Sequence, residues 1–482
     1  MNRISIGFFL ILALALSLFA GCGGNSIPQA SSLLSAKNTN LIFVVSPDLE
    51  NDPLGDVNPA TANLNNQGLQ RALMLASYLK QQLLGINNVT GIHVLAPMTH
   101  LQTAFEYPDM AAIGFIQQFA LLNKITIQGT TANSYPISAG YAEGDLPAGV
   151  AAPTPYVPGA QGLAFNDVHG NNATLATSII NAKTPGYHVF SAPWETTSAL
   201  LTAINTTMGY HLRLPTSFQG SNHVYAITVT PSGEARLLTF DSKLTPPKTY
   251  PVLPFPLASA SCTQQNFFSY SRTDGVNGVS IPAGTNTNQT VYLIRHAEAH
   301  PSSTFEDGNF VAAGQWRALA LANVLPHALR GQSSPTMVYS IDPAQSFTYA
   351  GHSVSYVRPS LTVLPYAIAN NLPFNLVSSF NIGLATDPGV AKKTSDFFFT
   401  GGALSGQTVL VAWEHEHFPP LLTYLLTTYY GGSNPDPALA WPQGDYDTIW
   451  TIKLDGSGNL TVDNALCEGI DSIPLPKTAP QF

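Results

Sequence analysis

Apolar residues along this chain fall into two alternating patterns. Leu41 to Val45, Val291 to Ile294 and Thr408 to Trp413 are short, continuous apolar runs, as expected of strands covered on both faces. Gly68 to Leu79 and Gly314 to Leu325 space their apolar residues as helices do, and Pro420 to Tyr430 can form a helix after its strand. Each half of the chain therefore reads β, α, β, α, β. That alternation predicts an α/β protein of two tandem three-layer α/β/α domains, each with a largely parallel sheet. Ligand sites of such sheets lie at the carboxyl ends of the strands.

The two halves also repeat one another. Gly68-Leu69-Gln70-Arg71-Ala72-Leu73 and Gly314-Gln315-Trp316-Arg317-Ala318-Leu319 keep Gly, Arg, Ala and Leu in step. Gly91 to Pro97 parallels Met337 to Pro343. Tyr187 to Glu195 parallels Val409 to Glu414, and Val224 to Gly233 parallels Thr448 to Gly458, each of the last pair reading as strand, Gly turn, strand. Four matches in one order argue for duplication. Residues 128–182 are rich in Gly, Ala, Pro and Asn and read as an insertion; residues 251–289 read as a linker. The expected units are a signal at 1–21, a tether at 22–40, a first domain at 41–250 and a second at 290–482.

Charge narrows the partners. Only 10% of residues are charged and the formal net charge is -9, with no basic stripe, so nucleic acid is not an expected partner. The N-terminus reads as an export signal: Arg3, then the apolar run Ile4 to Leu18, too short for an ordinary membrane span. Phe19-Ala20-Gly21-Cys22 resembles the lipobox of bacterial lipoproteins, in which Cys22 would carry the lipid; the alternative is an ordinary secretory signal with a Cys by chance. The expectation is export and a lipid anchor, with contact to the membrane through that anchor alone. Cys262 and Cys467 remain. They are either a disulfide closing a loop of about 200 residues, worth about 5 kcal/mol as an upper figure, or two buried thiols; the bridge suits an exported chain.

The chemistry sits at the strand ends. Arg295-His296-Ala297-Glu298 follows one apolar strand, Tyr356-Val357-Arg358-Pro359 stands in a loop, and Trp413-Glu414-His415-Glu416-His417 ends a later strand. In this order the sequence resembles the histidine phosphatase superfamily, directly over the second half and more weakly over the first. The resemblance implies a phosphoglycerate mutase-like fold and a phosphohistidine at His296. An imidazole is nucleophilic at neutral pH without a strong base. Arg295 and Arg358 would clamp the phosphoryl oxygens, and His415 would donate to the same oxygens. His417, two residues on, would face away. The family supplies the leaving group's proton from a carboxylic acid of variable position; Glu416 is the choice here, with Glu298, Glu414 and Asp387 as rivals. The expected ligand is a small phosphorylated substrate, and no cofactor or metal is called for.

Two departures qualify the resemblance. Ala297 replaces the commoner Gly, and Ala299 stands where the acid-phosphatase branch has a third Arg before a Pro such as Pro301. The first half has lost the site: Ser46-Pro47 stands at Arg295-His296, Met110 falls near Arg358, and Thr196 takes the place of His415. It reads as a dead copy. Competing readings are a surface-anchored protein that binds a phospho-ligand without turnover, and a mutase, which export disfavours.

Overall fold

A computed structural model describes residues 34–52, 55–102, 105, 107–139, 163–165, 172–260, 269–272, 284–300, 305–349, 351–377, 387–431 and 439–482. The signal and Cys22 lie outside the described residues, as do Cys262 and Pro301. Among the described residues no helix is long and apolar enough to cross a membrane.

The chain is mixed α/β. The first sheet contains β1 (Thr39–Val45), β2 (Gly91–Val94), β3 (Gly186–Ala192), β4 (His223–Val229) and β5 (Ala235–Asp241), in the order β5-β4-β1-β3-β2. The second contains β6 (Ser269–Arg272), β7 (Gln289–Arg295), β8 (Met337–Ile341), β9 (Phe374–Val377), β10 (Thr408–Trp413), β11 (Thr448–Leu454) and β12 (Leu460–Cys467), in the order β6-β12-β11-β7-β10-β8-β9. The segment expected to be only a linker thus adds an edge strand, β6, to the second sheet.

Neither sheet is largely parallel, a correction to the expectation. β1 runs parallel to β3, and β7 to β10, but β4 and β11 pair with them antiparallel, and β5 and β12 continue antiparallel. The cause is local. The Gly turns near Gly233 and Gly458 are too short for a crossover, and a tight turn can join only antiparallel strands.

Eight of the described helices matter here: α1 (Asn66–Tyr78), α2 (Ala111–Leu121), α3 (Asn172–Ala182), α4 (Trp194–Met208), α5 (Ala312–Ala328), α6 (Arg358–Ala369), α7 (Pro388–Phe399) and α8 (Phe418–Tyr429). α3 closes the segment read as a plain insertion. In the second half, alternation along β7 sorts the layers. Tyr292 and Ile294 join a core with α5 and α6, while Val291 and Leu293 join another with α7 and α8. The first core does not stop at the linker. It runs on through α1, α2 and the first sheet, and α1 and α2 pack directly on α6. Gly114 on α2 permits this closeness, since a Cβ there would lie 3.2 Å from Leu364 of α6.

The repeated Gly-x-x-Arg has a repeated job. A Cβ on Gly68 would lie 2.3 Å from the Asp56 carbonyl oxygen, and one on Gly314 would lie 3.0 Å from that of Glu298. Only glycine lets each helix start so close to the preceding loop. Three residues on, Arg71 donates to Asp56 and to Asn222, just before β4. Arg317 donates to Glu298 (2.7 Å), to Glu468 (2.5 Å) and to Asp447, just before β11 (3.4 Å). Both arginines tie helix, loop and strand together.

Cys467, at the end of β12, is disulfide-bonded.

Candidate functional site

His296 is the first residue past β7, and its amide donates to the Trp413 carbonyl at the end of β10 (3.0 Å). The parallel pairing of β7 with β10 therefore places Arg295, His296 and Glu414 together at the carboxyl edge of the sheet. The His296 ring is buried and fixed at both nitrogens: Nδ1 lies 2.7 Å from the Ala297 carbonyl oxygen, and Nε2 lies 3.0 Å from Glu414 Oε2. A carbonyl can only accept, so Nδ1 carries a proton and Nε2 is left for chemistry. Ala297 is itself held, donating through its amide to Thr362 Oγ1 (2.8 Å).

Glu414 accepts from the Tyr356 hydroxyl at 2.5 Å and is bonded to His415 Nδ1. Burial alone would raise its pKa, but charge on His296, its hydrogen bond and that from His415 hold it well below the ordinary carboxylate range. The same burial draws the His296 pKa down, with Glu414 opposing and both arginines assisting. The two groups thus compete for one proton lying between Nε2 and Oε2.

Two guanidinium groups flank the imidazole. Arg295 lies over the Tyr446 ring at 4.0 Å and donates through Nη1 to the Gln443 carbonyl. Arg358 opens α6, where Pro359 suits the first turn. Its two terminal nitrogens donate to Glu306 at 2.8 and 2.9 Å, and Nη1 also reaches the Asn309 carbonyl at 3.3 Å. Both arginines are 5% exposed, and the Nε–H of each is buried without a hydrogen-bond partner. Buried charged donors rarely stay unmet. Here two of them stand near one histidine.

The loop ahead of Arg358 is braced from the other half. Gln117 Nε2 on α2 donates to Asn309 Oδ1 (3.1 Å), Asn309 Nδ2 donates to the Tyr135 carbonyl (3.3 Å), and Ser134 Oγ donates to the Phe310 carbonyl (2.9 Å). The Ala139 amide donates to Ser355 Oγ at 3.0 Å, just ahead of Tyr356. The loop that holds Arg358 is therefore gripped by the first half.

The expected site residues come together with one exchange. Arg295, His296, Arg358 and His415 converge. Glu416 does not: its side chain is exposed, and Glu414 makes the bond to His296. Residues 415–417 form a turn into α8 rather than a continued strand, so the strand alternation applied to His417 ends at Trp413. His417 is buried and stacks on Trp413 at 4.4 Å, away from His296. Glu298 is committed to the buried Arg317, and Asp387 caps α7 by accepting from the Gly389 amide. Tyr356, Tyr446, Glu306 and Asn309 had no signal in the sequence beyond nearness to a motif, because loops bring them in.

One correspondence between the two halves shifts by one residue. The Ser46 amide donates to the Ala192 carbonyl at 3.0 Å just as His296 does to Trp413, so Ser46, not Pro47, occupies the place of His296. Backbone pairing decides this, and it sets the two Trp-Glu dipeptides two residues out of step with the strand ends. Thr196 accordingly lies beyond the place of His415, which Trp194 takes. Ser46 Oγ is buried with no partner, and no arginine stands at either clamp position. Among the described residues no group of three or more His, Cys, Asp or Glu can hold a metal ion.

No family model matches the chain, and no curated protein matches it. Solved structures do resemble it. A phosphoglycerate mutase from Plasmodium falciparum is 14% identical, covering 41% of this chain and 99% of its own, with a TM-score of 0.24. A mycobacterial glucosyl-3-phosphoglycerate phosphatase is 15% identical over 36% of this chain and 97% of its own, with a TM-score of 0.23. A phosphoserine phosphatase mutant from Entamoeba histolytica is 14% identical over 36% of this chain and 96% of its own, with a TM-score of 0.21.

Proposed function

We propose that the chain is a histidine phosphatase: an exported phosphomonoester hydrolase that acts through a phosphohistidine at His296. The observation that carries this is the pair of unmet, buried Nε–H groups of Arg295 and Arg358 beside an imidazole whose Nδ1 is already fixed. A phosphate would take both donors, and His415 would add a third. As the shared proton passes from His296 Nε2 to Glu414 Oε2, the freed Nε2 attacks phosphorus, the bond to the leaving oxygen breaks, and that oxygen takes the proton from Glu414. Water attacks the phosphohistidine in the second step, returns a proton to Glu414 and releases phosphate.

Glu414→Gln tests the division of labour. Turnover of an alkyl phosphate, whose alkoxide needs the proton, should fall about 10²–10⁴-fold. An aryl phosphate with an acidic phenol should lose far less. Glu416→Gln should leave both substrates near wild type. Equal losses on both substrates in Glu414→Gln would remove Glu414 as the acid.

The first half is proposed to be a duplicated copy that lost its chemistry. Shared strand order, the paired glycines Gly68 and Gly314, and the paired arginines Arg71 and Arg317 support this. The disulfide of Cys467 is proposed to reach Cys262. The Ser259–Ile470 bridge and the Ser269–Asp463 pairing carry the chain on either side of Cys262 to β12. Export with lipid attachment at Cys22 completes the proposal. Cys22→Ser should shift the protein from the membrane fraction to the soluble one, and unchanged fractionation would contradict the anchor.

A further inference from the structure

Tyr356 touches the nucleophile, the acid and one clamp residue, yet neither phosphoryl-transfer step uses it. Its backbone is fixed on several sides. A short antiparallel ladder, Ser346–Tyr349 against His352–Ser355, leads into it. Its amide donates to the Gln345 carbonyl (2.9 Å), and the next two amides, of Val357 and Arg358, donate to the Gly308 carbonyl (3.0 and 3.1 Å). Position 308 requires glycine, because φ there is 74° and a Cβ would lie 1.9 Å from the Ser355 carbonyl oxygen. The ring so placed stands edge-on to His296, with 84° between the planes and centroids 6.2 Å apart, and the Arg358 guanidinium lies over its face at 4.8 Å. Its hydroxyl donates to Glu414 Oε2 at 2.5 Å, the same oxygen that faces His296 Nε2.

We propose that Tyr356 is a positioning residue for the shared proton: its hydroxyl holds Glu414 as a carboxylate until the His296 proton arrives, and keeps Glu414 a stronger acid when the leaving oxygen takes that proton. This role rests on the phosphatase reading. A tyrosine hydroxyl has one proton to donate. Burial, and then the Glu414 charge, push the Tyr356 pKa well above the ordinary tyrosine value, with Arg358 opposing. The hydroxyl therefore keeps its proton and serves as a donor, never as a base. A carboxylate accepts from it strongly. Once the His296 proton settles on Oε2, the same hydrogen bond ends on a neutral acid and weakens. That difference favours the ionised form of Glu414. The groups facing Glu414 come from three elements: His296 after β7, Tyr356 and Arg358 where α6 begins, and His415 in its own turn. Glu306 spends its charge on the two terminal nitrogens of Arg358. Removing the Tyr356 oxygen changes none of these charges, so it isolates the hydrogen bond.

The test is Tyr356→Phe in the full chain, which keeps the ring beside His296 and Arg358. The Glu414 carboxyl should titrate about one pH unit higher in the variant. Carbon-13 NMR of glutamate-labelled protein reads this without substrate, and Glu414→Gln assigns the signal. The acid limb of the pH–rate profile should move up by the same amount, because a carboxyl already protonated cannot take the proton from Nε2. A weaker acid also protonates an alkoxide less readily. Turnover of an alkyl phosphate should therefore fall about three- to tenfold, while an aryl phosphate with an acidic phenol changes little. Vanadate should bind as it does to wild type, since both arginines remain. An unshifted titration would overturn the role, as would equal losses on the two substrates, because a packing defect slows both alike. Lost vanadate binding would place the effect in the clamp and overturn it too. Each of these outcomes leaves the phosphatase reading standing. A wild type that releases phosphate from neither substrate would overturn that reading and this role together, and it is recognised without the variant.

Discussion

His296→Ala should abolish release of phosphate from an aryl phosphate, with a loss of at least about a thousandfold, as for other nucleophile deletions. The fold should survive. The imidazole bonds only to the Ala297 carbonyl and Glu414, and the strand that delivers it is held by pairing on both sides. Truncation also leaves Glu414 without the partner that most strongly lowers its pKa, so its carboxyl should titrate higher in the variant. A depressed carboxylate stabilises the fold above its unfolded pKa, and that stability is lost as pH falls through the folded value. The variant should therefore lose part of that pH dependence on the acid side. A variant that still melts cooperatively as a folded chain, with turnover lost, fits the nucleophile role. Turnover at the wild-type rate would end it.

Removing the first half should cost as much in a different way. A fragment starting at Ser261 keeps Cys262 but strips α1 and α2 from α6. Leu361, Leu364 and Ile368 are buried on α6 in the shared core, and re-exposing a large aliphatic side chain costs about 1.5–3 kcal/mol each. Against a typical net stability of about 5–15 kcal/mol, that is enough to melt a domain. The fragment should melt far below the full chain and bind vanadate poorly. Gln117→Ala in the full chain isolates the second effect. It removes one hydrogen bond to Asn309 at 3.1 Å, worth about 1 kcal/mol, and should weaken oxyanion binding several-fold with little change in melting. Equal melting and equal turnover of fragment and full chain would show the halves to be independent.

Much of this was readable in the sequence, for physical reasons that differ from part to part. Continuous apolar runs marked the strands, and the end of one carried Arg295 and His296, because a sheet's pairing rules fix where strand ends go; Arg358, which opens a helix, was marked by the family resemblance. Gly68 and Gly314 stood out because close helix–loop approach tolerates no side chain. Residue order was a weaker guide than contact. The family's order after its second His pointed to Glu416, yet the chain turns after Trp413, and Glu414 is the carboxylate bonded to His296. The offset of Ser46 was set by backbone register, which side-chain matching does not see. The sheets are mixed rather than largely parallel because the hairpins after β4 and β11 each add antiparallel strands to a parallel centre. The grip of Gln117 and Tyr135 on Asn309 joins residues far apart in sequence, and no periodicity marks such contacts.

Catalysis through nitrogen is the central claim, and acid–base stability of the trapped intermediate tests it most directly. The full chain is mixed with a phosphomonoester labelled in its phosphoryl group, quenched during turnover and digested. A phosphoramidate on imidazole breaks down in acid and survives alkali, whereas a phosphoserine behaves the other way. The account predicts an acid-labile, alkali-stable label on the peptide that contains His296, absent from His296→Ala. An acid-stable label on a serine, or a label on the first half, would contradict it.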